Sequence, residues 1–231
     1  MKTIHFSVDD TFGCFRYLSR IYKEASSIWD SSTFSKAKAI HELYGLNVDF
    51  YCIYTDGKYT LDDFSDKFKE EFSENSKWMK FGFHAFDGES NYNDAFSVSF
   101  SEEYITTKRA LERLVGKESM TDCIRLHFFS GNKDIVKVLK ENGITTLLCA
   151  DDDRNSYGLS EESRKRLSYF GRYKDTETGM IFKPTHYRLE KIGRAPSVQE
   201  LEAISGDKIE VFTHERYLRD EMIMKRLEWF I

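Results

Sequence analysis

The chain has 231 residues, 32% of them charged, with a net charge of −5; that length suits one domain or at most two and is ample for a sizeable core. The slightly acidic balance, with no run of five like charges, argues against sequence-independent nucleic-acid binding, which needs a concentrated basic face. No apolar stretch approaches the roughly 20 residues of a membrane span, and no charged and apolar leader precedes the first strand, so the expectation is a cytoplasmic chain without a membrane partner.

Aromatic residues reach 15%; most are expected to fill the core, and some to line a groove for sugar rings, whose apolar faces stack on aromatic side chains. Only Pro184 and Pro196 occur, which excludes Pro-rich linkers, so residues 1–231 are read as one domain. Cys14, Cys52, Cys123 and Cys149 show no CxxC or zinc-ribbon spacing, and the last three lie in apolar runs; they read as reduced, buried thiols.

In chain order, residues 3–10 (T-I-H-F-S-V-D-D) are a short apolar run ending in acids, which predicts a strand. Residues 12–29 carry Phe15, Leu18, Ile21, Tyr22 and Ala25 at roughly helical spacing, and 34–44 continue as a second helix stopped by Gly45. Residues 48–54 predict a strand, and Thr60 opens a helix through Phe72 with Asp63 placed for a capping box. A strand over 80–86 leads into turn chemistry over 87–94 (D-G-E-S-N-Y-N-D), followed by a helix over 102–115. Residues 123–129 (C-I-R-L-H-F-F) predict a strand, 133–142 a helix ended by Gly143, and 145–150 a strand that again runs into acids, Asp151, Asp152 and Asp153.

Between 155 and 195 the pattern is less regular. A short helix is expected over 159–167, with strands over 168–172 and 180–189 joined as a hairpin across 176–179. Ser197 and Glu200 signal a second capping box, 208–213 the last strand, and 219–230 a closing amphipathic helix. Strands alternating with helices imply a mainly parallel sheet with helices outside, either a barrel or a doubly wound sheet.

Polar residues gather where these strands end: Asp9 and Asp10, His84, Arg125 and His127, Asp151 to Asp153, and His214. In α/β barrels that edge is where sites form. Adjacent strand residues point to opposite faces, but at a turning strand end Asp9 and Asp10 can converge, one binding a metal and the other serving as general base; alternatively they begin a solvated loop. His84 is either a core residue or a neutral imidazole ligand. Arg125 and His127 would share one strand face, with an inward Arg125 paired to an acid such as Asp9 and His127 reaching a metal, a substrate oxygen or another ligand's second hydrogen bond. His214 could act as general acid, its other nitrogen held by Glu215 or by one of Asp151, Asp152 and Asp153. His5, His41 and His186 look less useful, and no GxSxG, GxxxxGK[ST], HExxH or GxGxxG motif occurs.

The order of these residues resembles the polysaccharide deacetylase family, of the carbohydrate esterase type. Its acidic motif T-F-D-D-G reads here S-V-D-D-T, so Asp9 matches the base and Asp10 a metal ligand. Its H-[ST]-x-x-H motif reads H-A-F-D-G, with His84 at the first ligand position and Gly88 at the second. R-L-H supplies Arg125 where the family has R-x-P, and V-F-T-H supplies His214 where it has L-x-L-H. The resemblance spans most of the chain, through motifs that are each short. It implies a distorted (β/α) barrel and metal-dependent removal of acetyl groups from N-acetylated sugars.

Gly88 leaves the metal one ligand short. His127 is the favoured replacement, with Asp87 and Glu89 as alternatives. The expected cofactor is a divalent cation, zinc first, with nickel, cobalt or iron also admitted, and the expected partner is a small carbohydrate or glycan. The competing readings are a catalytically silent relative that binds a glycan or a protein, and a related barrel hydrolase acting on a cyclic amide or a nucleotide-sugar.

Overall fold

The computed structural model describes residues 2–231. Its strands are β1 (Thr3–Thr11), β2 (Val48–Ile53), β3 (Met79–Ala85), β4 (Cys123–Ile124), β5 (Thr146–Cys149), β6 (Tyr173–Lys174), β7 (Ile181–Pro184), β8 (Tyr187–Arg188) and β9 (Lys208–His214). The helices are α1 (Gly13–Arg20), α2 (Ser32–Tyr44), α3 (Lys69–Glu74), α4 (Ser97–Val115), α5 (Lys133–Glu141), α6 (Glu161–Phe170), α7 (Val198–Ala203), α8 (Glu215–Leu218) and α9 (Glu221–Glu228). Among the described residues, no helix is long and apolar enough to cross a membrane.

The strands pair in the orders β3-β2-β1-β9-β8 and β4-β5-β7-β6. Every pairing is parallel except the β6–β7 hairpin. The two groups meet at both ends. At one seam the chain passes from β7, paired with β5, directly into β8, paired with β9; the Thr185 amide donates to the Cys149 carbonyl at 3.2 Å and the His186 amide to the Glu210 carbonyl at 2.9 Å. At the other, Phe81 bridges Met120 in parallel. The circuit therefore closes into a barrel, distorted because β4 and β8 are two residues each. Parallel strands covered on both faces read as continuous apolar runs, and β2 is buried at every position.

Most aromatics do fill the core. Phe15 on α1, Phe34 on α2 and Phe72 on α3 pack on Phe81 of β3 with ring centroids 5.8, 6.1 and 5.4 Å apart. Phe83 takes the next outward position, against Phe100 and Tyr104 of α4. By alternation Gly82 and His84 face inward, and a Cβ on Gly82 would come within 2.7 Å of Ile124 Cγ2 and 2.8 Å of Thr121 Cγ2.

The barrel interior is unusually polar. The inward residues of β1 are His5, Ser7 and Asp9. At the N-terminal end, His5 Nδ1 contacts Glu210 and His5 Nε2 lies 3.1 Å from Asp49 Oδ2. Burial opposes the charge on His5, but the two carboxylates outweigh it and raise its pKa to about 10. Burial likewise opposes ionisation of Glu210, and His5 reverses it, lowering the Glu210 pKa.

Four predicted elements differ. The helix over 12–29 ends at Arg20 with Ile21 as its C-cap, and after a turn Ser27 and Asp30 form a capping box around a separate 3₁₀ turn at Ile28–Asp30; local side-chain bonds there compete with further helix. The Thr60–Asp63 capping box forms, but on a 3₁₀ turn at Leu61–Asp63. Arg113 binds the carbonyls of Leu61 and Phe64, each at 2.8 Å, so that turn ends with its acceptors satisfied. Residues 168–170 belong to α6, which stops at left-handed Gly171, and the strand of the hairpin is the shorter β6. The predicted strand over 123–129 covers only β4; a 3₁₀ turn at His127–Phe129 follows, with Phe128 and Phe129 both at φ 56°.

Two measurements test this account. Gly82→Val should cost about 1–3 kcal/mol by overpacking, read as a lowered urea midpoint, whereas Gly88→Ala, whose Cβ would meet nothing within 4 Å, should leave the midpoint in place. The His5 cluster gives a pH signature. The raised His5 pKa contributes stability that is complete below its ordinary 6.5 and is lost as pH climbs through about 10. Glu210, lowered from 4.5, contributes above that value and loses it in acid. Stability should thus fall between about pH 6.5 and 10 in the wild type, and His5→Asn should flatten that slope; an unchanged slope would show that His5 is not the group responsible.

Candidate active site

The C-terminal ends of the strands bring six of the sequence-predicted residues together: Asp9, Asp10, His84, Arg125, His127 and His214. The arrangement starts with a defect in β1. Val8 pairs with Phe50 and Thr11 with Cys52, three steps on β1 against two on β2. The extra residue is Asp10, held at φ 56°, a left-handed conformation that aspartate tolerates better than most residues. Regular alternation would send Asp10 to the opposite face from Asp9. The bulge re-aims it over the barrel mouth, as bulges near sites commonly do.

Asp10 Oδ1 lies 3.4 Å from His84 Nε2 and 3.8 Å from His127 Nε2, and the three side chains offer ligand atoms all within 4.8 Å of one another. Asp10 Oδ1 is buried without a hydrogen-bond partner among the described residues, an orphan that calls for an explanation. Tetrahedral zinc with bonds of about 2.0–2.1 Å sets its ligands about 3.3 Å apart, a spacing too long for good hydrogen bonds and suited to sharing one ion.

The imidazoles are oriented for this. His84 Nδ1 sits 2.6 Å from the Arg125 carbonyl and His127 Nδ1 3.3 Å from the Ser90 carbonyl. A carbonyl can only accept, so each Nδ1 carries a proton and each Nε2 is the atom turned to Asp10, the outer arrangement expected behind metal-binding histidines. Three such groups, were they to share an ion, would leave a position open for water or substrate, as catalytic sites require. The cluster's charges are coupled. Burial disfavours ionised Asp10, but His84, His214 and His127 outweigh it and hold its carboxyl well below the usual range. Burial also disfavours protonated His84, a preference that Asp9 and Asp10 reverse, whereas burial and the His84 charge keep the His127 pKa low.

Asp9 is paired with Arg125, Nη1 to Oδ1 at 2.7 Å, both side chains nearly inaccessible. The same guanidinium donates to Ser7 at 3.0 Å and to Thr185 at 3.2 Å, and it stacks 4.2 Å from the centroid of Phe212. On the other side of Asp10, His214 Nε2 lies 3.9 Å from Asp10 Oδ2. His214 Nδ1 contacts Glu190, whose second oxygen accepts from Thr213 at 3.0 Å. Burial raises the Glu190 pKa, and the contact with His214 more than offsets this, leaving it low.

Three expectations need correction. His127 reaches Asp10 from the 3₁₀ turn rather than from a strand shared with Arg125. Glu215 does not support His214: its oxygens accept the amides of Phe12, Gly13 and Cys14 at 2.8, 2.7 and 2.6 Å and so cap α1. Asp151 is engaged by Arg188 at 2.7 Å and Asp152 by Arg154. Glu190 was the residue missed, although it follows β8 as the acid in Y-R-L-E and obeys the same strand-end rule as the others. Of the alternative ligands, Asp87 Oδ1 is turned into its own loop, bonded to Ser90 at 2.8 Å, and Glu89 and Gly88 are exposed.

No family model and no curated protein matches the sequence. Solved structures do match. A protein of Mycobacterium smegmatis assigned as a polysaccharide deacetylase superposes with a TM-score of 0.59 at 12% identity, covering 98% of this chain and 83% of that one. The 4-alpha-glucanotransferase of Thermococcus litoralis gives 0.54 at 15% identity, covering 99% of this chain and 35% of that one. A CE4 family pseudoenzyme from Bacillus anthracis gives 0.47 at 12% identity over 98% of this chain, which spans 61% of that protein. At these identities the likeness is one of architecture: the chain is a divergent barrel with the fold of the polysaccharide deacetylases.

Proposed function

We propose that the protein is a metal-dependent hydrolase that removes acetyl groups from an N-acetylated or O-acetylated carbohydrate. The observation that carries this reading is the orphaned, buried Asp10 Oδ1 facing two imidazoles whose Nδ1 protons are already committed. Asp10, His84 and His127 would hold the cation. Once bound, a divalent cation would acidify a water and polarise the acetyl carbonyl.

The remaining steps belong to the chain. Asp9 accepts the proton of the attacking water. Arg125 fixes the direction of Asp9 from below. His214, on the far side of Asp10, donates a proton to the departing nitrogen or oxygen, with Glu190 holding the imidazole in the tautomer that leaves Nε2 to act. Phe128 and Tyr217 are exposed beside His127 and His214, with ring centroids 3.9 and 6.4 Å away, and offer faces on which a sugar ring can stack.

Metal loading followed by acetate release from N-acetylglucosamine oligomers tests the whole reading. A protein that takes up no metal from zinc, nickel, cobalt or iron, and releases no acetate, is instead the silent binding relative. Ligand roles separate by dialysis: His84→Ala and His127→Ala should each weaken zinc binding by at least about tenfold, since even outer-shell changes cost that much, while Asp87→Ala should not. In steady-state kinetics Glu190→Gln should lower kcat by about 10²–10⁴-fold, the worth of a well-placed general acid, with KM little moved; a KM effect alone would make Glu190 a substrate contact.

A further inference from the structure

We infer that the groove leading away from Asp10 selects acetylated sugars that also carry an anionic group, a phosphate or a carboxylate. This rests on the deacetylase reading above. A cavity of about 640 Å³ starts at Asp10 and runs past α1 and α8. In a chain of net charge −5, it is lined by four arginines: Arg16 and Arg20 from α1, Arg216 from α8 and Arg219 beyond it.

Three acids share these walls, Asp10, Asp30 and Glu215, and each is engaged by groups other than these arginines. Glu215 gives both oxygens to the α1 amides and Thr33. Asp30 Oδ2 accepts the amides of Ser26 and Ser27 at 2.7 and 3.1 Å. Asp10 faces the histidines. Arg16 alone is paired, with Asp56. Arg20, Arg216 and Arg219 are exposed, and each is without a carboxylate in ion-pair reach among the described residues. Three unpaired arginines thus line one cavity, from α1, from α8 and from the residue that follows α8, together with half-exposed Tyr17. Guanidinium forks match the planar or tetrahedral oxygens of carboxylate and phosphate, and four arginines against three acids leave the lining net positive, a balance that favours anionic ligands.

The test compares acetate release from N-acetylglucosamine 1-phosphate, N-acetylmuramic acid and neutral di-N-acetylchitobiose by the metal-loaded wild type and the Arg20→Gln/Arg216→Gln/Arg219→Gln variant. At low salt the wild type should favour at least one anionic probe over the neutral one by about tenfold or more in kcat/KM, the worth of a charge-assisted hydrogen bond. The favoured probe tells phosphate from carboxylate. The preference should shrink between about 0.1 M and 1 M salt, as the screening length falls from about 10 Å to about 3 Å. In the triple variant the ratio should collapse toward one through KM; a ratio already near one in the wild type, or unchanged in the variant, overturns the inference. Should no probe release acetate, the deacetylase reading falls and calorimetry decides the groove by itself. The wild type should then bind N-acetylglucosamine 1-phosphate and the triple variant should not; equal binding, or none, refutes the anion site.

Discussion

The buried pairing of Arg125 with Asp9 is the constraint on which the rest of this molecule depends. Both groups lie inside the barrel, where an unpaired charge costs several kcal/mol and removal of one partner typically costs about 3–5 kcal/mol. The sequence meets that cost by lining the interior with acceptors. Ser7, Asp9 and Thr185 take the guanidinium's outer nitrogens, Phe212 takes its face, and only Nε is left without a partner. These contacts come from β1, β9 and the segment joining β7 to β8, the strands that close one seam of the barrel. The ion pair therefore fixes Asp9 and the closure of the fold together, and neither can shift without the other.

A polar interior also explains the far end. His5, Asp49 and Glu210 fill the position where an ordinary barrel places branched aliphatic side chains. With Arg125 as a fixed positive charge above them, two carboxylates and one protonated imidazole give a column of alternating sign along the inner face of β1. Glycine at position 82 keeps that column narrow, because the opposing Thr121 and Ile124 already occupy the space a side chain would need.

Much of this was legible in the sequence. The strands were readable because parallel strands covered on both faces are unbroken apolar runs, and the site because its charged residues interrupt those runs only at their ends. What escaped was set by tertiary contacts. Phe128 and Phe129 have no local reason to adopt a left-handed backbone; Phe129 is held there by packing near Arg125 and Phe212, and its carbonyl accepts the Tyr157 amide. That turn, and not a strand, aims His127. Glu190 escaped because its strand is divided between two partners, β7 on β5 and β8 on β9, so neither half is long enough to show an alternation. Glu215 was misread through its position beside His214; α8 begins at that point, and its carboxylate turns to the three free amides of α1, which proximity in sequence could not reveal.

Three imidazoles face Asp10, and the groups behind them distinguish their roles. His84 and His127 rest on the Arg125 and Ser90 carbonyls, which take their Nδ1 protons and leave Nε2 turned to Asp10. His214 rests on a carboxylate, Glu190, itself steadied by Thr213, a support that would suit the proton-donating role proposed for it. Swapping these supports would swap the chemistry: a carboxylate behind His127 would favour a charged ring facing a cation, and a carbonyl behind His214 would leave its proton without a counter-charge. Under the proposed function, the ligand that the resemblance would place at Gly88 is supplied instead by His127. What suits His127 to that role is the 3₁₀ turn, which places its Nδ1 3.3 Å from the Ser90 carbonyl in the 87–94 loop.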